Sequence, residues 1–88
     1  MINEVNKTTN FKFQYHKLNL RFRRLVDAAI EIIKESPTDY QNRITHIGNK
    51  KEGGLYRFRM PGCYILYVVG HHEDGDAMSV ILTTIKLM

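Results

Sequence analysis

The chain has 88 residues, 43% of them hydrophobic and 25% charged, with a formal net charge of +4. That composition describes one small soluble domain with room for a single core. No apolar run approaches the roughly 18 residues of a membrane span, Met1 to Asn10 is polar with no signal-peptide segment, and a lone Cys63 rules out an internal disulfide, so a cytoplasmic chain is expected.

Residues 1–10 are expected to form a flexible N-terminal segment, with the domain occupying 11–88. Phe11-Lys12-Phe13-Gln14-Tyr15 alternates aromatic and polar residues, the pattern of a strand with one buried face. From Leu18 the period changes: Leu18, Phe22, Leu25, Val26, Ala29, Ile30 and Ile33 form one helical stripe, which predicts a helix from about Lys17 to Glu35, ended by Pro37. Thr38 with Gln41 resembles a capping box, and Tyr40, Ile44 and Ile47 suggest a second helix from Asp39 to about Ile47. A lysine- and glycine-rich loop, Asn49 to Gly54, follows.

Leu55-Tyr56-Arg57-Phe58-Arg59-Met60 alternates arginine with large apolar residues, so Tyr56, Phe58 and Met60 can cover a core while Arg57 and Arg59 share the other face, roughly 7 Å apart. Pro61-Gly62 turns the chain into the apolar run Cys63 to Val69. Asp74-Gly75 is a hairpin signal, and Ala77 to Ile85 is a third run rich in β-branched residues. The expected fold is α+β: a strand, two helices, then a three-stranded antiparallel meander with the helices over one face.

Charge is segregated. Between Lys7 and Arg24 stand Lys7, Lys12, Lys17, Arg21, Arg23 and Arg24 with no acid, and Arg43, Lys50, Lys51, Arg57 and Arg59 are opposed only by Glu52. Two planar guanidiniums held on a strand suit phosphate oxygens, although a solvated sheet face uses the same pattern. Arg21, Arg23 and Arg24 lie against the dipole of their own helix, which fits either an anion-binding edge or an ordinary solvated face. Lys50, Lys51, Arg57 and Arg59 with Tyr56, Tyr64 and Tyr67 are compatible with single-stranded RNA, whose phosphates are held by cations and whose bases stack on rings. His71, His72, Glu73, Asp74 and Asp76 read as a polar hairpin tip rather than a metal site, His16 and His46 as surface or helix-end residues, and Cys63 as a buried, inert thiol. No glycine-rich phosphate cradle and no Ser-His-Asp arrangement is present, so neither cofactor nor metal is expected.

From Phe11 to Lys86 the order of elements resembles the RelE/ParE toxin superfamily. Tyr56-Arg57-Phe58-Arg59-Met60, Gly62 and Ile65-Leu66-Tyr67 resemble its sheet signature, and Ser79 to Lys86 its last core strand. The resemblance implies a toxin-antitoxin component acting on RNA or the ribosome, with a cognate antitoxin or other protein partner and no membrane. RelE-like members cleave messenger RNA on the ribosome without a metal, using the 2′-hydroxyl as nucleophile. On that basis Arg57, Arg59 and Lys86 are the catalytic candidates, stabilising the pentacovalent phosphate. The nucleic-acid-binding candidates are Lys50, Lys51, Arg57, Arg59, Tyr64, Arg21 and Arg24. Tyr64 stands where the family usually carries arginine, and Lys86-Leu87-Met88 lacks the C-terminal Arg, His or Tyr used by several ribonuclease members. The alternative is therefore a catalytically inactive inhibitor on the same fold, for example phage-encoded, that binds nucleic acid or protein. A third reading is the gyrase inhibition of ParE-like members.

Overall fold

A polar strand opens the chain. Glu4–Lys7 (β1) runs parallel to the last strand, with Val5 beside Val80 and Lys7 beside Leu82. The computed structural model describes residues 3–38, 44–47, 54–71 and 78–88. Buried Asn3 anchors this start, its amide donating to the Lys34 carbonyl at 2.8 Å and its oxygen accepting from the Met78 N–H at 3.0 Å. Glu4–Lys7 thus forms an edge strand of the sheet.

The aromatic run Phe11 to Tyr15 is helical, which corrects the strand expected there. It lies in α1 (Thr9–Lys17), capped by Thr8, whose hydroxyl accepts from the Phe11 N–H at 3.1 Å. Alternation is broken on folding: Phe11 is buried, one turn on Tyr15 packs against the core, and Phe13 is exposed under the Lys17 ammonium, 4.2 Å from its ring centroid.

The long amphipathic helix is present as α2 (Leu20–Glu35), with Asn19 capping the Phe22 N–H at 3.0 Å and Val26, Ala29 and Ile33 buried. Arg23 of its first turns donates to the Tyr15 and His16 carbonyls, at 3.3 and 2.5 Å. One of the cations set against its own helix dipole is thereby explained: it caps the C-terminus of α1.

Ile44–Ile47 is strand β2, not the end of a second amphipathic helix, and the remainder of that expected helix, residues 39–43, lies outside the described residues. Ile44 and Ile47 stand three apart, a helical spacing that a strand sends to opposite faces; pairing with β3 sets Ile44 opposite buried Phe58 and Ile47 opposite Leu55 on the other face. Then come β3 (Gly54–Met60), β4 (Cys63–His71) and β5 (Met78–Leu87). β4 pairs antiparallel with both β3 and β5, and these three form the middle of a five-stranded mixed sheet of order β1-β5-β4-β3-β2, which corrects the three-stranded antiparallel meander expected. The Asp74-Gly75 turn falls outside the described residues.

Phe58, Met60, Cys63, Ile65, Tyr67, Val69, Val80, Leu82 and Ile85 form the core with Phe11 and α2. Burial raises the pKa of the Cys63 thiol, so its nucleophilic thiolate is disfavoured. Tyr67 is fully buried and donates its hydroxyl to the Pro37 carbonyl at 2.7 Å, fixing the chain that leaves α2. Its ring stacks on Tyr56 (centroids 5.7 Å, interplanar 17°), and Tyr56 meets His46 edge-on at 4.9 Å.

Burial first, then the nearby Tyr56, push the Tyr67 pKa above the tyrosine range. The folded chain then holds a proton that the unfolded chain releases near pH 10, so the stability linked to Tyr67 is complete below about pH 10 and is lost above it. Tyr67→Phe is expected to cost about 1 kcal/mol at neutral pH and to flatten the alkaline fall in stability, read from urea midpoints between about pH 7 and pH 11. An unchanged alkaline fall assigns it to another group, such as Tyr15, whose pKa is raised chiefly by its hydrogen bond to Asp27.

Candidate nucleic-acid interface

Period-two alternation sends Phe58 and Met60 into the core and Arg57 and Arg59 to the opposite face, away from the helices. Register then sets their neighbours. Arg59 stands opposite Tyr64, and Tyr64 opposite Lys86, giving a cross-strand row of cation, ring and cation. The next row is Thr45, Arg57, Leu66 and Thr84. None of these neighbours is a carboxylate or an imidazole.

Lys86 joins this face through an irregularity. Leu66 pairs with Thr84 but Tyr67 pairs with Leu82, so Thr83 is an extra residue in β5. Strict alternation from buried Val80 and Leu82 would direct Lys86 inward; the bulge shifts parity, so Ile85 is buried and Lys86 exposed. The bulge is tied down on both sides. The Thr83 hydroxyl donates to the Leu66 carbonyl at 2.9 Å, and its carbonyl accepts from the Thr8 hydroxyl at 3.0 Å and the Asn10 amide at 3.3 Å.

Arg57, Arg59, Tyr64 and Met88 line a cleft of about 200 Å³. A neighbouring hollow of about 410 Å³ is lined by Arg59, Met60, Pro61, Gly62 and Met88. The Met88 N–H donates to the Gly62 carbonyl at 3.0 Å, holding the last residue beside the β3–β4 turn, where Gly62 has a φ of +84°. Arg57 is half-buried, with its guanidinium carbon 5.7 Å from the Tyr64 ring centroid, and its Nε is buried without a hydrogen-bond partner among the described residues. An N–H buried in this way costs roughly 1–3 kcal/mol. Arg59 is exposed.

The face has a second character. Ile47, Leu55, Val68 and Ile81 lie side by side across β2, β3, β4 and β5, one row beyond Arg57. Val68 and Ile81 are 37% and 42% exposed. An aliphatic row beside a cationic one offers a protein surface as well as an anion surface.

Of the residues singled out from sequence, the fold brings Arg57, Arg59, Tyr64 and Lys86 together. Lys50 and Lys51 lie outside the described residues, as do residues 72–77 of the polar hairpin tip. Arg21 and Arg24 are exposed on α2, over the other sheet face, and do not line the cleft. Tyr56 and Tyr67 turn toward the core side, which leaves Tyr64 as the tyrosine beside the arginines. Thr45, Thr84 and Met88 escaped sequence reasoning; the first two become legible once strand register is known, and nothing in the sequence marks Met88. Among the described residues no group of three or more His, Cys, Asp or Glu could hold a metal, and no helix is long and apolar enough to cross a membrane.

Set against solved structures, the chain matches one from the crystal structure of the archaeal RelE-RelB complex of Pyrococcus horikoshii OT3, with a TM-score of 0.81 over 99% of this chain and 96% of that chain. The fold is of the RelE/ParE type. Sequence identity in that alignment is 15%. No family model and no curated protein matches the sequence. The fold assignment thus rests on backbone similarity, and the parallel edge strand β1 is a feature that the amino-acid pattern does not announce.

Proposed function

We propose that this chain is a RelE-type component of a toxin-antitoxin system that acts on RNA through its open sheet face. The observation that carries this reading is the row Arg59, Tyr64, Lys86 beside the half-buried Arg57, whose Nε has no partner. In this reading Arg57 and Arg59 grip and neutralise a phosphate, Lys86 supplies a third cation from β5, and a base stacks on Tyr64. Cleavage proceeds without a metal, the RNA 2′-hydroxyl attacking the adjacent phosphate while the 5′-oxygen leaves. Such a protein works in the cytoplasm, where translating ribosomes are. Incubating the purified chain with translating ribosomes and mapping transcript ends tests the reading: new ends are expected, and uncut messages at stoichiometric protein contradict the enzyme claim.

A second reading, an RNA-binding inhibitor without catalysis, is favoured by the absence, among the described residues, of carboxylate and imidazole from the cross-strand neighbours of Arg57 and Arg59, since proton transfer needs a base and an acid. It predicts a salt-sensitive RNA complex with no cleavage.

The similar archaeal protein was crystallised as a RelE-RelB complex. We extend that pairing to this chain and place a RelB-like partner on the aliphatic row Ile47, Leu55, Val68 and Ile81. Val68→Lys combined with Ile81→Lys is expected to weaken binding of a RelB-like antitoxin by about tenfold or more, while leaving RNA binding in place. Unchanged partner affinity, measured by titration calorimetry, places the partner elsewhere.

A further inference from the structure

On the helix side of the sheet, where β1 gives way to α1, Lys7, Phe11, Lys12, Tyr15 and His16 line a hollow of about 280 Å³. Its floor is aromatic and held in place. Phe11 is buried, and the Tyr15 hydroxyl hydrogen-bonds to the Asp27 carboxylate, 2.9 and 3.1 Å from its two oxygens. The Arg23 guanidinium, committed to the α1 carbonyls, lies 5.7 Å from the Tyr15 ring centroid. Its rim is cationic: Lys7 ends β1, and Lys12 and His16 stand one turn apart on α1.

Three observations point the same way. The helix has no acid in its first turn and none along its length, and Lys12 sits in its N-terminal half, an arrangement that forgoes dipole stabilisation. Asp27, the carboxylate that reaches this region, is occupied by Tyr15. The volume lies at the small end of ligand pockets, roughly 300–1,000 Å³, which suits one ring and one charged group.

We propose that this hollow binds a nucleoside phosphate unit, free or within an RNA strand, with the base against the Tyr15 ring, over buried Phe11, and the phosphate held by Lys7, Lys12 and His16. The site lies across the sheet from the Arg57 cleft and is independent of the function proposed above. A nitrogen–proton correlation titration of the full chain with uridine and adenosine monophosphate tests it. Saturable shifts are expected at Lys7, Phe11, Lys12, Tyr15 and His16, and inorganic phosphate is expected to bind at least about tenfold more weakly because it lacks the stacking ring. Lys7→Gln with Lys12→Gln, both exposed positions, weakens the nucleotide binding read at Phe11 and Tyr15 by about tenfold or more, while the amide spectrum elsewhere stays that of the folded chain. Equal shifts from a short oligonucleotide identify the unit as part of a strand; shifts from the mononucleotide alone identify it as free. No shifts at about 1 mM nucleotide, shifts confined to Arg57, Arg59 and Tyr64, or affinity untouched by the lysine changes overturn the proposal.

Discussion

Replacing Arg57 and Arg59 together by alanine is expected to lower ribosome-dependent RNA cleavage by more than a hundredfold while the fold stays intact. Removal of one preorganised donor facing a developing negative charge costs roughly 2.7–4 kcal/mol in the transition state, or about 10²–10³ in rate. Two such groups on one phosphate are coupled, so the double variant falls below either single one by less than the product. Structural damage does not account for the loss: Arg59 is exposed and the Arg57 Nε has no partner to abandon. The same feature gives a test with the opposite sign. Arg57→Met removes a buried, unsatisfied N–H while keeping most of the aliphatic stem, so stability is expected to hold or to rise by up to about 1 kcal/mol as activity falls. Urea unfolding and transcript-end mapping on the same samples read the two effects separately. Full activity in the double variant contradicts the assignment of these arginines.

Deletion of Thr83 is expected to destabilise the domain by about 2–3 kcal/mol without turning the end of β5 over. Once the extra residue is gone, Leu82 still faces Tyr67 and Thr84 still faces Leu66, so regular alternation keeps Ile85 in the core and Lys86 on the open face. The loss comes from the contacts of the bulge itself: its carbonyl accepts from the Thr8 hydroxyl and the Asn10 amide at the N-terminus of α1, and its hydroxyl donates to the Leu66 carbonyl. Each such hydrogen bond contributes about 1 kcal/mol. Against a total stability of about 5–15 kcal/mol, the deletion is expected to lower the urea midpoint clearly while the circular dichroism of the folded protein is kept. Thr83→Ala, which keeps the backbone count, is expected to lose only the hydroxyl bond to Leu66, about 1 kcal/mol. A deletion variant as stable as Thr83→Ala contradicts the role given to the bulge.

That bulge also marks where reading the amino acids stops. The arginine strand was legible because five residues of β3, Tyr56 to Met60, carry one unbroken alternation, and α2 was legible because its stripe runs over four turns. Where a segment is short or its period is ambiguous, tertiary partners decided. Phe11 to Tyr15 alternates like a strand, yet the Thr8 cap and the packing of Phe11 and Tyr15 made it a helix. Ile44 and Ile47, three residues apart, follow the helical period, and pairing with β3 overrode it, leaving the two on opposite faces of a strand. Polar Glu4–Lys7 has no apolar pattern of its own; its place comes from parallel pairing with β5 and from the two hydrogen bonds of Asn3. In the candidate site, the arginines followed from alternation, whereas the cross-strand partners of Tyr64 needed register, and the orientation of Lys86 needed the Thr83 bulge.

The central claim is that the open face of β3, β4 and β5 receives RNA phosphates, and the side-chain Nε–Hε signals of Arg57 and Arg59 report on it directly. Adding a short single-stranded RNA is expected to shift both signals in a saturable way and to shift Arg57 most, because its buried Nε gains an acceptor. Tight RNA binding with both signals unmoved contradicts the account.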